Sequence, residues 1–394
     1  MSGDGDCQTT TQDITFWVDS ANGSDWNSGV QESPLKTLVA AIRKIPLVVR
    51  HNVTVNVRSG TYKEKLDLLF LFAGGGDIKF VGMDWNKFSP AAPGIQSGTF
   101  DIDFGTPAIP NTASCAGGGW AADDLKGKFV RITSGTDNGK YFPIANNTAT
   151  SIDFGMPVDR IAGRGKDFRG QTFQIVEHAV VLEQQITTSE SPYLISVCGT
   201  SPPSQSRFIG PLVSQNGIHF QNFQFNMGSA FEALVCNSGG VLRLQSCKLN
   251  YSPNTASYGF FGRGSPGTFV AADCYWAMLS SGHYGFGTEG LAAIIRLFNC
   301  IMDNGHQVGV VTSQGSYVGI SGLYQNQQYG IGIRNSIAQC ASNIVLRGLQ
   351  VGFFVVERSS LILRPIAGCG FLMNIPGSGI TVTGFNNSIE LKNL

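Results

Sequence analysis

The sequence predicts an all-β solenoid of stacked parallel strands, a parallel β-helix with about 23 residues per coil. Three observations predict it: an eightfold repeat in the C-terminal half, one position in each repeat suited to a left-handed backbone, and a turn-dense composition. The repeat reads apolar, any, apolar, any, then a turn-type residue, then an apolar residue or Cys. It ends at Phe223, Cys247, Cys274, Cys300, Leu323, Leu349, Cys369 and Phe385, with spacings of 24, 27, 26, 23, 26, 20 and 16 residues. Length varies only between the landmarks, as it does when loops of different size join equivalent coils.

Alternation with period two puts Leu242 and Leu244, Phe269 and Ala271, Ile295 and Leu297, or Val318 and Ile320 on one face of a short strand, with Arg243 or Arg296 on the other. The next position holds Asn222, Ser246, Asp273, Asn299, Gly322, Gly348, Gly368 and Gly384. Asn, Asp and Gly tolerate positive φ, which predicts a sharp bend at the same point of every coil. The residue after the bend then enters an internal column. A further strand follows each variable loop, opening on a small and then an apolar residue, as at Gly259-Phe260 and Gly285-Phe286, so each coil has at least three sides.

Composition bounds the alternatives. Fifty glycines and 14% charged residues suit a turn-dense β body, and 42% hydrophobic residues over 394 positions are ample for a long core. Twenty-seven Lys and Arg balance 27 Asp and Glu, so a basic nucleic-acid footprint is not expected. The chain has no run of 18 apolar residues and opens on MSGDGDCQTTTQD, which predicts neither membrane insertion nor an ordinary signal peptide. Nine cysteines, among them Cys247, Cys274 and Cys300 at one repeat position, read as reduced core residues of a protein made in a cytoplasm.

The segment FWVDSANGSDWNSGVQESPLKTLVAAIRKIP followed by NVTVNVRSGTYKEKLDL resembles the entry segment of pectate-lyase-like right-handed β-helices, in particular those of bacteriophage tailspikes and related virion appendages. Ser33 and Pro34 read as an N-cap and first-turn pair. Leu35, Leu38, Val39, Ile42 and Ile45 form an apolar stripe, so the helix is expected to cover the open end of the solenoid. DIKFVGM repeats the landmark with Ile78, Phe80, Gly82 and Met83. The expected organisation is an N-terminal tail at 1–13, the β-helix entry at 14–93, an inserted β-domain at 94–180 rich in turn signals, and coils at 181–394. An insertion at a loop costs a solenoid little, since only its two ends must stay close.

Family enzymes act on the outside of the coils with acidic pairs or acid-bound calcium beside Arg or Lys. Between residues 200 and 394 the acids number six: Glu232, Asp273, Glu289, Asp303, Glu357 and Glu390. Asp273 falls in the bend column, and Glu289 and Glu357 alternate with Arg263, Arg334 and Arg358 as a solvated ladder. Asp303 and Glu232 remain as candidate catalytic carboxyls. Tyr258, Trp276, His283, Tyr284, His306 and Tyr324 fall in a loop series on one flank, where aromatic faces and polar groups suit either sugar rings or a subunit contact. His283 and His306 lie in adjacent coils but lack a third ligand, so no metal and no cofactor is expected.

The resemblance implies a homotrimeric structural protein of a phage virion, in the tail or an appendage, that contacts other tail or baseplate proteins and recognises host surface polysaccharide. The alternative it implies is a polysaccharide-degrading hydrolase or lyase. So few acids weigh toward binding or structure, because glycoside hydrolysis usually needs two carboxyls roughly 5 to 9.5 Å apart.

Overall fold

A computed structural model describes residues 9–73, 75–91, 94–101, 112–155, 168–183, 186–189, 217–227, 232–237, 241–251, 258–263, 268–278, 283–289, 294–303, 306–312, 317–325, 329–334, 337–347, 351–356, 360–363, 372–374, 380–383 and 388–391; side chains are described through residue 183 and at 217–226, 241–250, 268–277 and 294–303. Among the described residues the chain is mostly β, with one α-helix and two large sheets, of 17 and nine strands, in which the strands of successive repeats pair in parallel. Among the described residues no helix is long and apolar enough to cross a membrane.

A repeat contributes three strands. Ile218–Gln221, Gln224–Met227 and Glu232–Asn237 pair in order with Val241–Gln245, Lys248–Tyr251 and Tyr258–Arg263 of the next repeat. Those pair in turn with Thr268–Ala272, Tyr275–Met278 and His283–Glu289. Between the first and second strand the backbone turns on one residue: Asn222, Ser246, Asp273 and Asn299 have φ of 64°, 50°, 53° and 50°. The short polar residues of the repeat are therefore there because the turn needs a left-handed backbone. Phe223, Cys247, Cys274 and Cys300 follow, all buried.

One core runs through these repeats. Val55, Phe80, Phe220, Leu244, Ala271 and Leu297 are successive register partners and are all buried. The Phe80 and Phe220 rings stack at 4.8 Å with planes 9° apart, which matches the distance between paired strands. Burial raises the Cys274 thiol well above its ordinary pKa, and the neighbouring Cys247 and Cys300 add to the effect. Such thiols are inert hydrophobes.

The helix is shorter than the apolar stripe suggests. It spans Leu38–Lys44, and its N-cap is Thr37, whose Oγ1 accepts from the Ala40 N–H; Ser33 is not the cap. The reason is that Leu35 is held extended beside Val18, its N–H donating to the Trp17 carbonyl. Glu64 accepts from the N–H groups of Leu38 and Val39, and Asp25 from those of Lys36 and Thr37, so the first-turn donors are satisfied. Leu38 and Ala41 are fully buried against the same core as Val18, Val55 and Leu68.

At Met83 the repeat breaks. Met83 is 43% exposed, not in the core column, because the chain leaves the first strand Ile78–Gly82 there and returns only at Val180–Leu182, which pairs with Gly60–Tyr62 and Gln224–Met227. An antiparallel sheet lies between: Trp85–Lys87 and Ser97–Thr99 pair with Thr172–His178, which pairs with Phe129–Ile132 and so with Tyr141–Pro143. The antiparallel pairing begins at Trp85, ahead of residue 94. It has its own core, including Phe100, Trp120, Ile132, Phe154 and Phe173. Where other repeats place a single bend residue, this one places the whole insertion. Gly82 is required at the junction, since a Cβ there would collide with the Asn222 carbonyl.

The bend column makes a stability test. Ser246→Asn and Ser246→Gly are expected to melt within about 0.5 kcal/mol of the parent, and Ser246→Val to lose about 1 to 3 kcal/mol, because a β-branched residue resists positive φ. Chemical denaturation followed by circular dichroism measures this; equal stability of all three removes the bend as the cause. Thiol labelling located by mass spectrometry is expected to leave Cys247, Cys274 and Cys300 unmodified in the folded protein and to modify them on unfolding.

Candidate functional site

Two outer surfaces matter: one covered by the insertion and one open. The stretch after each bend, expected from sequence to be loop, is strand in Lys248–Tyr251, Tyr275–Met278 and the end of Ile294–Asp303. Alternation therefore applies to it, and it sorts side chains that seemed to share a flank. Leu249, Trp276 and Met302 are register partners facing the core. Trp276 is 2% exposed, 6.2 Å from the Phe269 ring, so it is a core residue and is not available to stack on a sugar. Tyr275, Ile301 and Asp303 point the other way, and the insertion covers them.

The covered surface is tightly made. Phe129, Ala145 and Val176 of the insertion pack with Tyr275 and Ile301. The Asp303 carboxylate, 1% exposed, accepts from the Tyr275 hydroxyl at 2.7 Å and pairs with Lys126 Nζ at 2.7 Å. Next to Lys126, Gly127 (φ 71°) packs so near the Tyr275 ring that a Cβ there would lie 3.0 Å from it. Burial pushes the Tyr275 hydroxyl well above its ordinary pKa, and the Asp303 charge adds to this. Asp303 is thus a structural ion-pair partner and not an outward carboxyl on a glycan-facing flank. Burial brings the enclosed Lys248 ammonium down to about 8, with the Lys128 charge in the same direction and Glu177 opposing.

His178 completes the contact. It is buried between Trp85 and Phe129, and its Nε2 donates to the Ser246 carbonyl at 2.7 Å. Burial pulls its pKa to about 3, so it is neutral.

Glu232, Tyr258 and Tyr284 are register partners in the nine-stranded sheet, and His283 pairs with His306 there, whereas Tyr324 pairs with Met302 in the other sheet. The side chains of Glu232, Tyr258, His283, Tyr284, His306 and Tyr324 lie outside the described residues. Asp303 and Glu232 belong to different sheets and are not neighbours in any strand register.

The open surface is the outer face of the first strands. A groove of about 670 Å³ runs across Val53–Val57, Ile78–Gly82, Ile218–Gln221, Val241–Gln245 and Thr268–Ala272. Two outward columns form its floor. One holds Thr54, Lys79, His219, Arg243 and Val270 and continues past the groove to Arg296; the other contributes Gln221, Gln245 and Ala272 and continues past the groove to Val81 and Asn56 on one side and Phe298 on the other. Its edge is a ladder in which each residue caps the next strand: Asp13 Oδ1 accepts from the Asn52 N–H, Asn52 Oδ1 from the Asp77 N–H, and Asp77 Oδ1 from the Gly217 N–H at 2.7 Å.

In the groove, Asp77 Oδ2 is 3.5 Å from His219 Nε2, and Arg243 Nη1 is 2.9 Å from that same nitrogen. A guanidinium only donates, so Nε2 accepts from Arg243 only while it is bare and pairs with Asp77 only when it carries a proton. A proton added at Nε2 would exchange the Arg243 bond for an ion pair with Asp77. Burial raises the Asp77 carboxyl, but the His219 contact, the Gly217 N–H and the Arg243 charge outweigh it and hold the pKa below the ordinary value. Asp77 is an ionised acceptor, which is unlike a general acid for glycoside cleavage. Asp273, also in the groove, is three strands away, about 14 Å along the stack before the strand length is added, which is too far for a hydrolytic pair.

No known family profile matches the chain, and no curated protein is significantly similar to it in sequence. Solved structures give remote similarities: a glycoside hydrolase (10% identity, 96% of each chain, TM-score 0.40), a rhamnogalacturonan lyase (11% identity, 95% of this chain and 87% of that one, TM-score 0.35), and a tailspike of an Acinetobacter baumannii bacteriophage in complex with A. baumannii capsular saccharide (11% identity, 86% and 65%, TM-score 0.23). At these values they carry no weight for the site.

Two variants test the covered surface. Lys126→Met is expected to destabilise the protein by about 3 kcal/mol by stranding the buried Asp303 charge, with Lys126→Met/Asp303→Leu recovering most of the loss. For His178 the folded pKa is depressed, so its contribution is full above 6.5 and is lost as pH falls from 6.5 toward 3. Stability measured across that range is expected to fall less steeply in His178→Phe than in the parent; parallel curves would overturn the assignment.

Proposed function

We propose that the protein is a right-handed parallel β-helix of a phage virion appendage, assembled as a homotrimer, that binds an extended polysaccharide of the host surface along the groove of the first strands. The observation that carries the binding reading is the groove floor. Successive strands present Lys79, His219, Gln221, Arg243 and Gln245 outward at a regular spacing of about 4.8 Å, a row of donors and acceptors suited to the hydroxyls of a chain of sugars. Three-stranded repeats, a left-handed bend in each and a helix over the first strands support the coil; the resemblance of residues 14–93 to tailspike entry segments supports the virion. Polysaccharide degradation is the second reading, favoured by a carboxylate, an imidazole and a guanidinium meeting at Asp77, His219 and Arg243.

The test is a polysaccharide panel of capsular and O-antigen type, read by biolayer interferometry, with release of reducing and unsaturated ends followed in parallel. Gln245→Trp, which fills the groove from an exposed position, is expected to abolish binding with an unchanged melting temperature. Binding retained in that variant would show that glycan contacts lie elsewhere. End release lost in His219→Ala would favour degradation.

A further inference from the structure

The groove is lined by the carboxylates Asp13, Asp77 and Asp273 and by the cations Lys79 and Arg243, and the cations belong to one outward column that runs on past the groove to Arg296. Lys79, Arg243 and Arg296 stand in one register column, with His219 between the first two and Val270 between the second two. Each cation is therefore two strands from the next, about 9.6 Å at the usual strand separation. One strand separation is close to the length that one pyranose unit adds to an extended glycan, so the cations recur once for every second sugar.

The intervening positions do not supply a second set. His219 shares its Nε2 between Arg243 and Asp77, and Val270 is apolar. Arg243 is held in place by that bond, which uses one of its five N–H donors. Lys79 and Arg296 are exposed. Of the carboxylates that line the groove with Asp273, Asp77 accepts from the Gly217 N–H and Asp13 from the Asn52 N–H. The parallel column is uncharged from Val81 through Gln221, Gln245 and Ala272 to Phe298, whose ring is 38% exposed and offers a stacking face.

From this spacing we infer that the groove selects a polyanionic glycan carrying one acidic group per disaccharide, lying along the stacking direction, with acidic sugars over Lys79, Arg243 and Arg296 and neutral sugars over His219 and Val270. The inference rests on the groove being the glycan site.

The probes are hyaluronan, unsulfated chondroitin and heparosan oligosaccharides, which carry one carboxylate per disaccharide in three linkages, with oligogalacturonate, which carries one on every sugar, and neutral dextran as comparisons. Isothermal titration at several salt concentrations is expected to show binding of at least one alternating glycan that weakens with salt, and weaker binding of dextran. Lys79→Gln and Arg296→Gln are each expected to weaken it about fivefold and to flatten its salt dependence. Val270→Lys, which puts a cation over a neutral sugar, is expected to strengthen oligogalacturonate binding and leave the alternating glycan unimproved.

Affinities unchanged in Lys79→Gln and Arg296→Gln would overturn the inference, as would dextran binding equal to every acidic probe. In those cases loss of binding in Gln245→Trp would leave the groove as a neutral-glycan site. If Gln245→Trp blocks nothing, the groove itself is not the site and the inference falls with it.

Discussion

Four successive repeats pass from first strand to second through a single residue that has to adopt a backbone conformation L-amino acids resist. Asn222, Ser246, Asp273 and Asn299 do so with nearly equal φ. Because the turn is the same in these four, the strands on either side keep register from Ile218–Gln221 to Ile294–Asp303, and Cys247, Cys274 and Cys300 fall in one column; at the next repeat the register shifts, so that Cys300 pairs with Gly322 and Ile301 with Leu323, one residue off the equivalence the sequence pattern suggests. The outward residues of the first strands then also fall into columns. A groove with a regular spacing of polar groups is thus a by-product of a constraint on backbone geometry inside the bend.

This explains why some features were legible in sequence. The bend residues differ in chemistry but share tolerance of positive φ, and Leu242, Leu244, Phe269 and Ala271 alternate with outward residues, so strand, bend and core column can be read without coordinates. The candidate site was less legible for a related reason. Lys248–Tyr251 and Tyr275–Met278 follow the bend directly and carry many aromatic residues, which looks like a polar loop until the strand pairing shows that Trp276 faces in and Tyr275 faces out. Asp303 and Lys126 are 177 positions apart in the chain, and no local pattern signals their meeting. The groove had a signal in the outward Arg243 and Arg296, but Asp77 and His219 join it only through register across the insertion.

The insertion divides the outer surface by covering one set of strands and leaving another open. It contributes apolar contacts, a buried ion pair and a neutral histidine to the covered side, each of which depends on exclusion of water. Among the described residues nothing covers the open side in this way, and its charged residues are half-buried or exposed. Burial of the second strands and exposure of the first strands of one repeat therefore give two distinct electrostatic settings within one sheet.

The insertion leaves the chain between Gly82 and Val180, yet it touches Ser246, Tyr275, Ile301 and Asp303, which belong to later repeats. A stack in which each layer touches only its neighbours melts from its ends, one layer at a time. A brace that holds several layers at once changes that behaviour. Fraying from the Asp303 side has to break the contacts with Lys126 before it can advance, and losing them loosens the insertion's hold on Tyr275 and Ser246. The braced layers are then a cooperative block inside a body that would otherwise come apart gradually, and the groove lies on that block.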